Sequence, residues 1–394
     1  MNRTGNISRQ RKKAIVSVTN DLTTDQRVNR TCHALLKAGF EVLLVGRVRP
    51  TSKPLAPRVY GTHRMRLFFD KGALFYAEYN FRLLCYLLFH RFTLLVSNDT
   101  DALPANFTAH RLKTFFHPRS ALRRPPVHLH DCHEYFRGVP ELNGRKKVTW
   151  TWKWIEDRIF PRLHYVFAVN QSVADLYMSE YKVGIKVVRN VPFHKVETVN
   201  KDKTDLGIRE DQKIILYQGA VNVDRGLEEA ILSMKYLETD AVLLIAGTGD
   251  IIQNLSELIR KNGLSDKVML LGQIPFQELH CLTQLADLGL SIEKDVSINY
   301  HYCLPNKFLD YIQARVPVLV SPFPEMKAIV DRYQIGEYIQ GHEPEKLALQ
   351  LDNLLHDQDK LTLYRNNMVP AAADLCWEHE ETILLDLIHE ALEN

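Results

Sequence analysis

Seven consecutive residues, His128-Leu-His-Asp-Cys-His-Glu134, hold three imidazoles, two carboxylates and a thiol. A His-x-His followed by Asp, Cys and His has the chemistry of a metal ligand set. On a strand, His128 and His130 point to one face, and the residues after them read as loop. No second cluster in the chain completes a metal site, so no metal is expected. Partly buried histidines at a strand end account for the same residues.

Three stretches of the second half place charge or glycine at strand ends. In Tyr217-Gln-Gly-Ala-Val-Asn-Val-Asp-Arg-Gly226 a strand runs into a loop containing Gly219, and Arg225 opens a helix. Loop amides and a nearby guanidinium attract phosphate; a solvated arginine at a helix start fits the same pattern. Ile245-Ala-Gly-Thr-Gly-Asp250 ends another strand in Gly247 and Gly249. Two glycines there allow close approach of a nucleotide, or a plain tight turn. The stretch is not a full G-x-G-x-x-G, and no Walker lysine follows.

The third stretch, Leu304-Pro-Asn-Lys-Phe-Leu-Asp310, is the most specific. Asn306 and Lys307 open a helix, and Asp310 lies on the same face as Lys307. A cation in the first turn opposes the helix dipole, which makes sense beside an anion such as a diphosphate. Asp310 could accept the hydroxyls of a ribose. A surface Lys307–Asp310 pair is the plainer alternative. In the first half, Asp25 and Arg27 follow the first strand, and Asn98 to Asp101, with Asp99 among them, end another. Each acid also fits a helix cap.

The elements that must position these residues alternate. Short β-branched runs at 14–18, 41–46, 94–98, 127–130, 164–169 and 186–190 are separated by helical stretches such as 26–38 and 171–179. The polar segment 192–205 reads as a linker. The alternation restarts at 213–219, with further strands at 241–247, 267–272, 288–292 and 316–321. This pattern predicts α/β architecture: two facing Rossmann-like, doubly wound domains. The expected boundaries are 1–195 and 196–375, with the first domain completed by a helix over 376–394. Ligands of such sheets sit beyond the carboxyl ends of the strands.

The chain has 394 residues, 45% hydrophobic and 25% charged, which excludes a fibrous or largely disordered protein. Its six cysteines are far apart and form no Cys-x-x-Cys, so a reducing compartment fits. The net charge of +3 conceals an asymmetry. Residues 1–195 carry 33 basic and 14 acidic residues, a net of +19, and the remainder a net of −16. A basic half suggests an anionic partner: membrane surface, nucleic acid or phosphate-bearing substrate. The N-terminus is basic at Arg3, Arg9 and Arg11, but its apolar run is only five residues and no secretory leader is read. The stretch 72–90 is apolar but interrupted by Glu78, Asn80 and Arg82. It reads as an amphipathic helix, against the core or on a membrane. Phe68, Phe69, Phe75, Tyr76 and Tyr79 are expected at headgroup level, and Arg64, Arg66, Lys71 and Arg82 at lipid phosphates.

Taken in order, several motifs resemble one family. They are NDLTTDQRVNR (20–30), DCHE (131–134), VRNVP (188–192), Arg225-Gly226, AGTG (246–249), LGQIP (271–275), LPNKFLDYIQARVPVLVS (304–321) and Pro324-Glu325. Over about residues 14–370 the chain resembles GT-B glycosyltransferases of family 4 (group 1). The resemblance implies a retaining hexosyltransferase moving a sugar from a nucleotide diphosphate donor to an acceptor hydroxyl. It would use no cofactor and no metal in the active site. His133 matches the family's active-site histidine, which would contact the donor sugar or the reacting oxygens. Arg225 matches the second member of the phosphate-binding basic pair. The first falls on Ala220, and Lys307 would supply that charge. Asp310 matches the second acid of an E-x7-E motif. The first falls on Tyr302, leaving Tyr302 or Glu293 as its replacement. The loop holding Asp25 and Arg27 would lie near diphosphate and acceptor, and Asp99 at its strand end would face the acceptor.

On this reading the leaving phosphate takes the acceptor proton on the same face of the sugar, so no dedicated base is named. The basic first half suggests a lipid-linked acceptor in cell-surface polysaccharide or glycolipid synthesis. The protein would then be cytoplasmic and peripheral on the inner membrane face. A GT-B epimerase would convert a UDP-sugar with no acceptor present. A nucleic-acid-binding protein would shift arbitrary RNA in a salt-sensitive way, but no recognition helix or RNA-binding signature is found.

Overall fold

The computed structural model describes residues 12–23, 25–116, 124–139, 142, 144–194 and 202–393. Arg3, Arg9 and Arg11 of the basic N-terminus, and 195–201 of the expected linker, lie outside the described residues. The chain divides into two units, Met1–Arg189 with Glu380–Asn394, and Asn190–His379.

Unit 1 holds seven parallel strands: β1 (Lys13–Ser17), β2 (Glu41–Val48), β3 (Gly61–Arg66), β4 (Leu94–Asn98), β5 (Val127–Cys132), β6 (Tyr165–Ala168) and β7 (Ile185–Val187). Their order is β3-β2-β1-β4-β5-β6-β7. Buried on both sides, β1 and β4 are near-continuous apolar runs, as a parallel sheet requires. The order reverses between β1 and β4, so the loops after these two strands flank the switch point where ligands bind in such sheets.

Helices α1 (Gln26–Lys37), α2 (Gly72–Phe89), α3 (Asp99–Phe115), α4 (Lys146–Ile159) and α5 (Gln171–Tyr181) connect or flank the strands. Asp25 starts α1 as its N-cap, accepting from the Val28 amide at 3.0 Å. Helix α2 turns Phe75, Tyr79, Leu83 and Leu87 into a core with Ile15, Val45, Met65 and Leu95. This corrects part of the membrane expectation. Phe75 and Tyr79 are core residues, and Tyr79 donates to the Val18 carbonyl at 2.7 Å. Tyr76 packs edge-on against Trp152, 5.0 Å between ring centres. Arg82 is paired with Glu78 at 2.7 Å, and Arg64 donates to the Lys53 carbonyl at 3.0 Å. Of the residues expected at the surface, Phe68, Phe69, Arg66 and Lys71 are exposed.

Unit 2 repeats the design with six parallel strands: β8 (Lys213–Gln218), β9 (Ala241–Ala246), β10 (Val268–Gly272), β11 (Leu288–Ser291), β12 (Val318–Val320) and β13 (Gly336–Tyr338). The order is β10-β9-β8-β11-β12-β13, with the reversal between β8 and β11. Its helices are α6 (Leu227–Ser233), α7 (Ile252–Lys261), α8 (Phe276–Gln284), α9 (Ile298–His301), α10 (Asn306–Ala314), α11 (Pro324–Tyr333), α12 (Pro344–His356), α13 (Gln358–Asp374) and α14 (Trp377–Glu393). The last of these crosses into unit 1 at Glu380. Apolar periodicity leaves out β3, β13, α4, α9, α11 and α13. Strand β3, GTHRMR, is a polar edge strand, and α13 carries Pro370 inside the helix.

Candidate functional site

At the switch point of unit 2, three sequence candidates converge. Glu293 follows β11 and is fully buried. Its carboxylate is in direct contact with the Lys307 ammonium from the first turn of α10. Arg225, at the end of the loop after β8, brings Nη1 to 3.6 Å from the same oxygen. The Ser291 hydroxyl donates to the other carboxylate oxygen at 3.0 Å. Burial raises the Glu293 carboxyl, but the Lys307 charge outweighs burial and holds it below the ordinary value. Burial lowers Lys307, and Glu293 reverses that shift to a net rise. Both groups are therefore charged at neutral pH.

This pairing adds to one expectation and corrects another. The anion that makes sense of a lysine in the first turn of α10 is the protein's own Glu293. The surface Lys307–Asp310 pair is not formed: Lys307 is buried, and Asp310 accepts from Gln218 Nε2 at 3.2 Å. Two aromatic residues to which the sequence motifs assign no role complete the cluster. Lys307 lies over the Tyr217 ring at 4.4 Å and bonds its hydroxyl at 3.4 Å. Arg225 lies over the Tyr300 ring at 4.7 Å. Each ring adds to the hold on a cation. Tyr217 is the penultimate residue of an apolar strand, so core burial alone predicts it. Burial and then the Glu293 charge push the Cys303 thiol up to about 12.

The tip of helix α10 is fixed from below. The Tyr311 hydroxyl donates toward the Leu216 carbonyl at 3.0 Å and accepts from the Gln218 amide at 3.2 Å, which ties α10 to the end of β8. Asn306 is exposed and accepts from Asn190 Nδ2 at 3.0 Å. Tyr302 packs edge-on to His301 at 4.7 Å. Gly219 begins the loop after β8, and the glycines after β9 admit that loop. A Cβ on Gly247 (φ 153°) would meet the Gly219 carbonyl oxygen at 1.8 Å, and one on Gly249 the Val221 carbonyl oxygen at 2.2 Å. The backbone approaching these glycines is thus the chain's own. Arg225 Nε has no hydrogen-bond partner among the described residues. That atom is itself buried, but the Arg225 side chain as a whole is 24% exposed, against 6% for Lys307.

In unit 1 the alternation of β5 divides the run 128–134. His128 and His130 are buried and share the Ser97 hydroxyl at 2.8 and 2.9 Å. Burial drives His128 well below its usual value and His130 to about 4, so both are neutral. Asp131 points to the other face and is clasped by Arg27, Nε at 2.9 Å and Nη2 at 2.5 Å. The third branch of Arg27 donates to the Val188 carbonyl at 2.6 Å. Arg27 is thus a buried structural cation, not an acceptor-side contact. Asp25 is an N-cap that also accepts from Asn20 Nδ2 at 2.7 Å.

His133 lies in the loop just after β5, at a partly exposed position. Its Nε2 is 3.0 Å from Asp131 and 3.2 Å from Asn98 Oδ1, and its Nδ1 is 3.5 Å from Asp99. The His133 amide donates to Asp99 at 2.9 Å. Burial lowers the imidazole, but the Asp99 and Asp131 charges outweigh it and lift His133 to about 10. It is an imidazolium at neutral pH. Burial raises Asp131, and Arg27 then His133 pull it down to about 2. Asp99 has φ 58°, a left-handed backbone that aspartate tolerates better than most residues. Strained backbone of this kind is often found at functional sites.

Comparison with known proteins places unit 2 in sequence space. Residues 198–373 match the model of the family described as glycosyl transferases group 1. The fold is GT-B. Over nearly the full chain it is similar to sucrose-phosphate synthase from Thermosynechococcus elongatus (TM-score 0.77, 16% identity, covering 96% of this chain and 99% of that one). A glycosyltransferase from Rickettsia africae gives a TM-score of 0.73 at 14% identity, covering 97% and 99%. The Anabaena protein HepE in complex with UDP-glucose gives 0.73 at 12%, covering 96% and 99%. In sequence, an uncharacterized glycosyltransferase of Methanocaldococcus jannaschii is 29% identical over 159 residues. That match spans 39% of this chain and 39% of the relative's length. The group 1 match falls on the unit that holds the Arg225–Glu293–Lys307 cluster.

Proposed function

We propose that the protein is a glycosyltransferase of the family 4 type. It moves a sugar from a nucleoside diphosphate donor to an acceptor hydroxyl, with retention and with no metal in the active site. The observation that carries this reading is the Arg225–Glu293–Lys307 cluster at a GT-B switch point, with Arg225 the more exposed of the two cations. Glycosyl transfer builds negative charge on the leaving diphosphate. Two fixed cations against one carboxylate leave one net positive charge to meet it. Because Glu293 and the two rings already orient those cations, little reorganisation is needed when the charge develops. Gln218 and Asp310 would then face the nucleoside side of the donor. In unit 1, His133 is held as an imidazolium, a state that makes charged hydrogen bonds to oxygen acceptors.

The complex of HepE with UDP-glucose makes uridine donors the first to test. The basic first half supports an acceptor carried on a lipid, in cell-surface polysaccharide or glycolipid synthesis. Thermal shift against UDP-, GDP- and ADP-sugars, followed by mass spectrometry of acceptor products, tests the reading. One donor class should raise the melting temperature and lose its sugar to an acceptor. No shift with any nucleotide sugar would overturn the proposal. Conversion of the bound sugar without an acceptor would replace transfer by epimerisation.

A further inference from the structure

Helix α2 is apolar on the side away from its core as well as on the side facing it. Its buried stripe is Phe75, Tyr79, Leu83 and Leu87. On the opposite side lie Leu74, Ala77, Phe81, Cys85 and Leu88, which share one face at about 100° per residue, while Leu84 at its margin packs against the core. Leu74 is 58% exposed, Phe81 69% and Phe89, at the helix end, 88%. No charged residue falls on this outer stripe. A helix apolar all round is ordinarily covered on both sides. Among the described residues, nonetheless, no helix is long and apolar enough to cross a membrane.

The two charged residues of α2 sit at the edge of the stripe and have another task. Glu78 accepts from the Phe68 amide at 2.9 Å and the Phe69 amide at 3.0 Å. Its partner Arg82 lies 5.0 Å over the Phe68 ring. These contacts hold Phe68, 85% exposed, beside the helix. Glu78 thus pins the backbone at Phe68 and Arg82 covers its ring, so the exposed ring is a surface feature the fold maintains.

We infer that the outer face of α2, with Phe68, docks flat on an anionic lipid surface. Charge chooses this occupant. Arg66 and Lys71 stand before the N-terminal end of the stripe and Arg91 just past its C-terminal end, all exposed and without a carboxylate partner among the described residues. Asp70, in the same loop, and the paired Glu78 are the nearby acids. The surrounding half of the chain carries 33 basic and 14 acidic residues. A second copy docking through the same face would set like charges against each other. A layer of anionic headgroups meets the cations while its acyl boundary receives Leu74, Phe81 and Leu88. The helix is already formed and anchored on its core side, so docking needs no folding step. The inference deepens the lipid-acceptor reading, but the binding it describes involves no sugar transfer.

Cosedimentation of the full chain with vesicles tests it. Vesicles of phosphatidylcholine alone are compared with vesicles containing phosphatidylglycerol, at low salt and at 1 M salt, where the screening length falls to about 3 Å. The protein should pellet with the anionic vesicles at low salt only. Phe81→Glu should weaken binding at least about tenfold, equivalent to about 1.4 kcal/mol. The triple variant Arg66→Gln, Lys71→Gln, Arg91→Gln should do the same. All four positions are exposed, and an unchanged melting temperature confirms intact folding. Protein left in the supernatant with both vesicle types overturns the inference. So does binding that survives both variants, or a dimer in vesicle-free solution that Phe81→Glu dissociates. Nucleotide-sugar binding measured without vesicles reports on the transferase reading separately.

Discussion

Replacing Glu293 by Gln should destabilise unit 2 while strengthening its hold on a nucleoside diphosphate. In the wild type, Glu293 is fully buried and the Lys307 side chain is 6% exposed. Removing the carboxylate leaves a buried ammonium with the Tyr217 hydroxyl at 3.4 Å and its ring at 4.4 Å. Breaking one side of a buried pair typically costs about 3–5 kcal/mol. A desolvated cation–π contact returns about 2 kcal/mol at best, but it is present before and after and does not offset the loss. For a unit spanning Asn190–His379, about 2–4 °C per kcal/mol gives a fall of roughly 6–20 °C in the melting temperature of that transition. The double variant Glu293→Gln, Lys307→Met removes both charges and should recover much of the loss, since an apolar replacement of a buried pair is often neutral.

The ligand effect has the opposite sign. Without Glu293 the site carries two cations and no acid, so UDP should raise the melting temperature of Glu293→Gln by more than it raises the wild type's. Calorimetry with and without saturating UDP measures both quantities on one sample. Unchanged stability in Glu293→Gln would mean that the ion pair is not buried in solution. Loss of UDP binding in a folded Glu293→Gln protein would make Glu293 a ligand contact, and its role in orienting the cations would be refuted.

Arg225→Ala and Lys307→Ala should each lower turnover at least tenfold, about 1.4 kcal/mol of transition-state stabilisation, and full activity in both would remove the phosphate assignment. The imidazole of His133 should remain charged through pH 8 by NMR, and Asp131→Asn should bring its midpoint down toward neutrality. Because His133 rises from about 6.5 in the unfolded chain to about 10 when folded, its stabilising contribution is complete below the first value and lost through the second. Asp131 is the reverse case: its contribution stands above about 3.9 and disappears as pH falls through about 2. Asp101 gives a third signature. Burial, then the neighbouring Asp99, raises it to about 7, and its Oδ1 has no partner among the described residues. Between about 4 and that value the folded state keeps a proton the unfolded chain has lost, so stability falls as pH rises. Asp101→Asn should therefore gain more in melting temperature at pH 8 than at pH 5, and equal gains would refute this.

The alternation of strands and helices was legible because parallel strands buried on both faces are unbroken apolar runs. Edge strand β3 was not, because half of its surface meets water and its residues are polar. At the sites, the position of a cation could be read and its partner could not. Lys307 in a first helical turn called for an anion, but nothing in the sequence singles out Glu293, at the end of the preceding strand, as that anion, and Arg225 reaches that carboxylate only because β8 lies beside β11. Arg27 looked available for an acceptor because Asp131, which buries it, lies four strands along the sequence. The exposed stripe of α2 was hidden for a related reason. Its aromatic residues divide between core and surface by helical phase, which composition alone does not register.

The two units use one device at different net charge. In unit 1, Asp131 and Asp99 face Arg27 and His133, two acids against two cations. In unit 2, Glu293 faces Arg225 and Lys307, one acid against two. Burying an acid beneath a cation fixes the cation's protonation and orientation, but it also cancels one unit of the charge that a diphosphate would meet. Unit 1 therefore has an oriented, neutralised imidazolium suited to a directional hydrogen bond rather than to bulk charge compensation. Unit 2 keeps a surplus cation, and Arg225, 3.6 Å from Glu293 and more exposed than the directly paired Lys307, is that surplus. This difference can be tested by moving the surplus: Asp99→Asn should add net positive charge to unit 1 without creating UDP affinity in an Arg225→Ala background. If Asp99→Asn did restore UDP binding there, net charge rather than the unit 2 geometry would govern recognition, and the assignment of the diphosphate to Arg225 and Lys307 would fall.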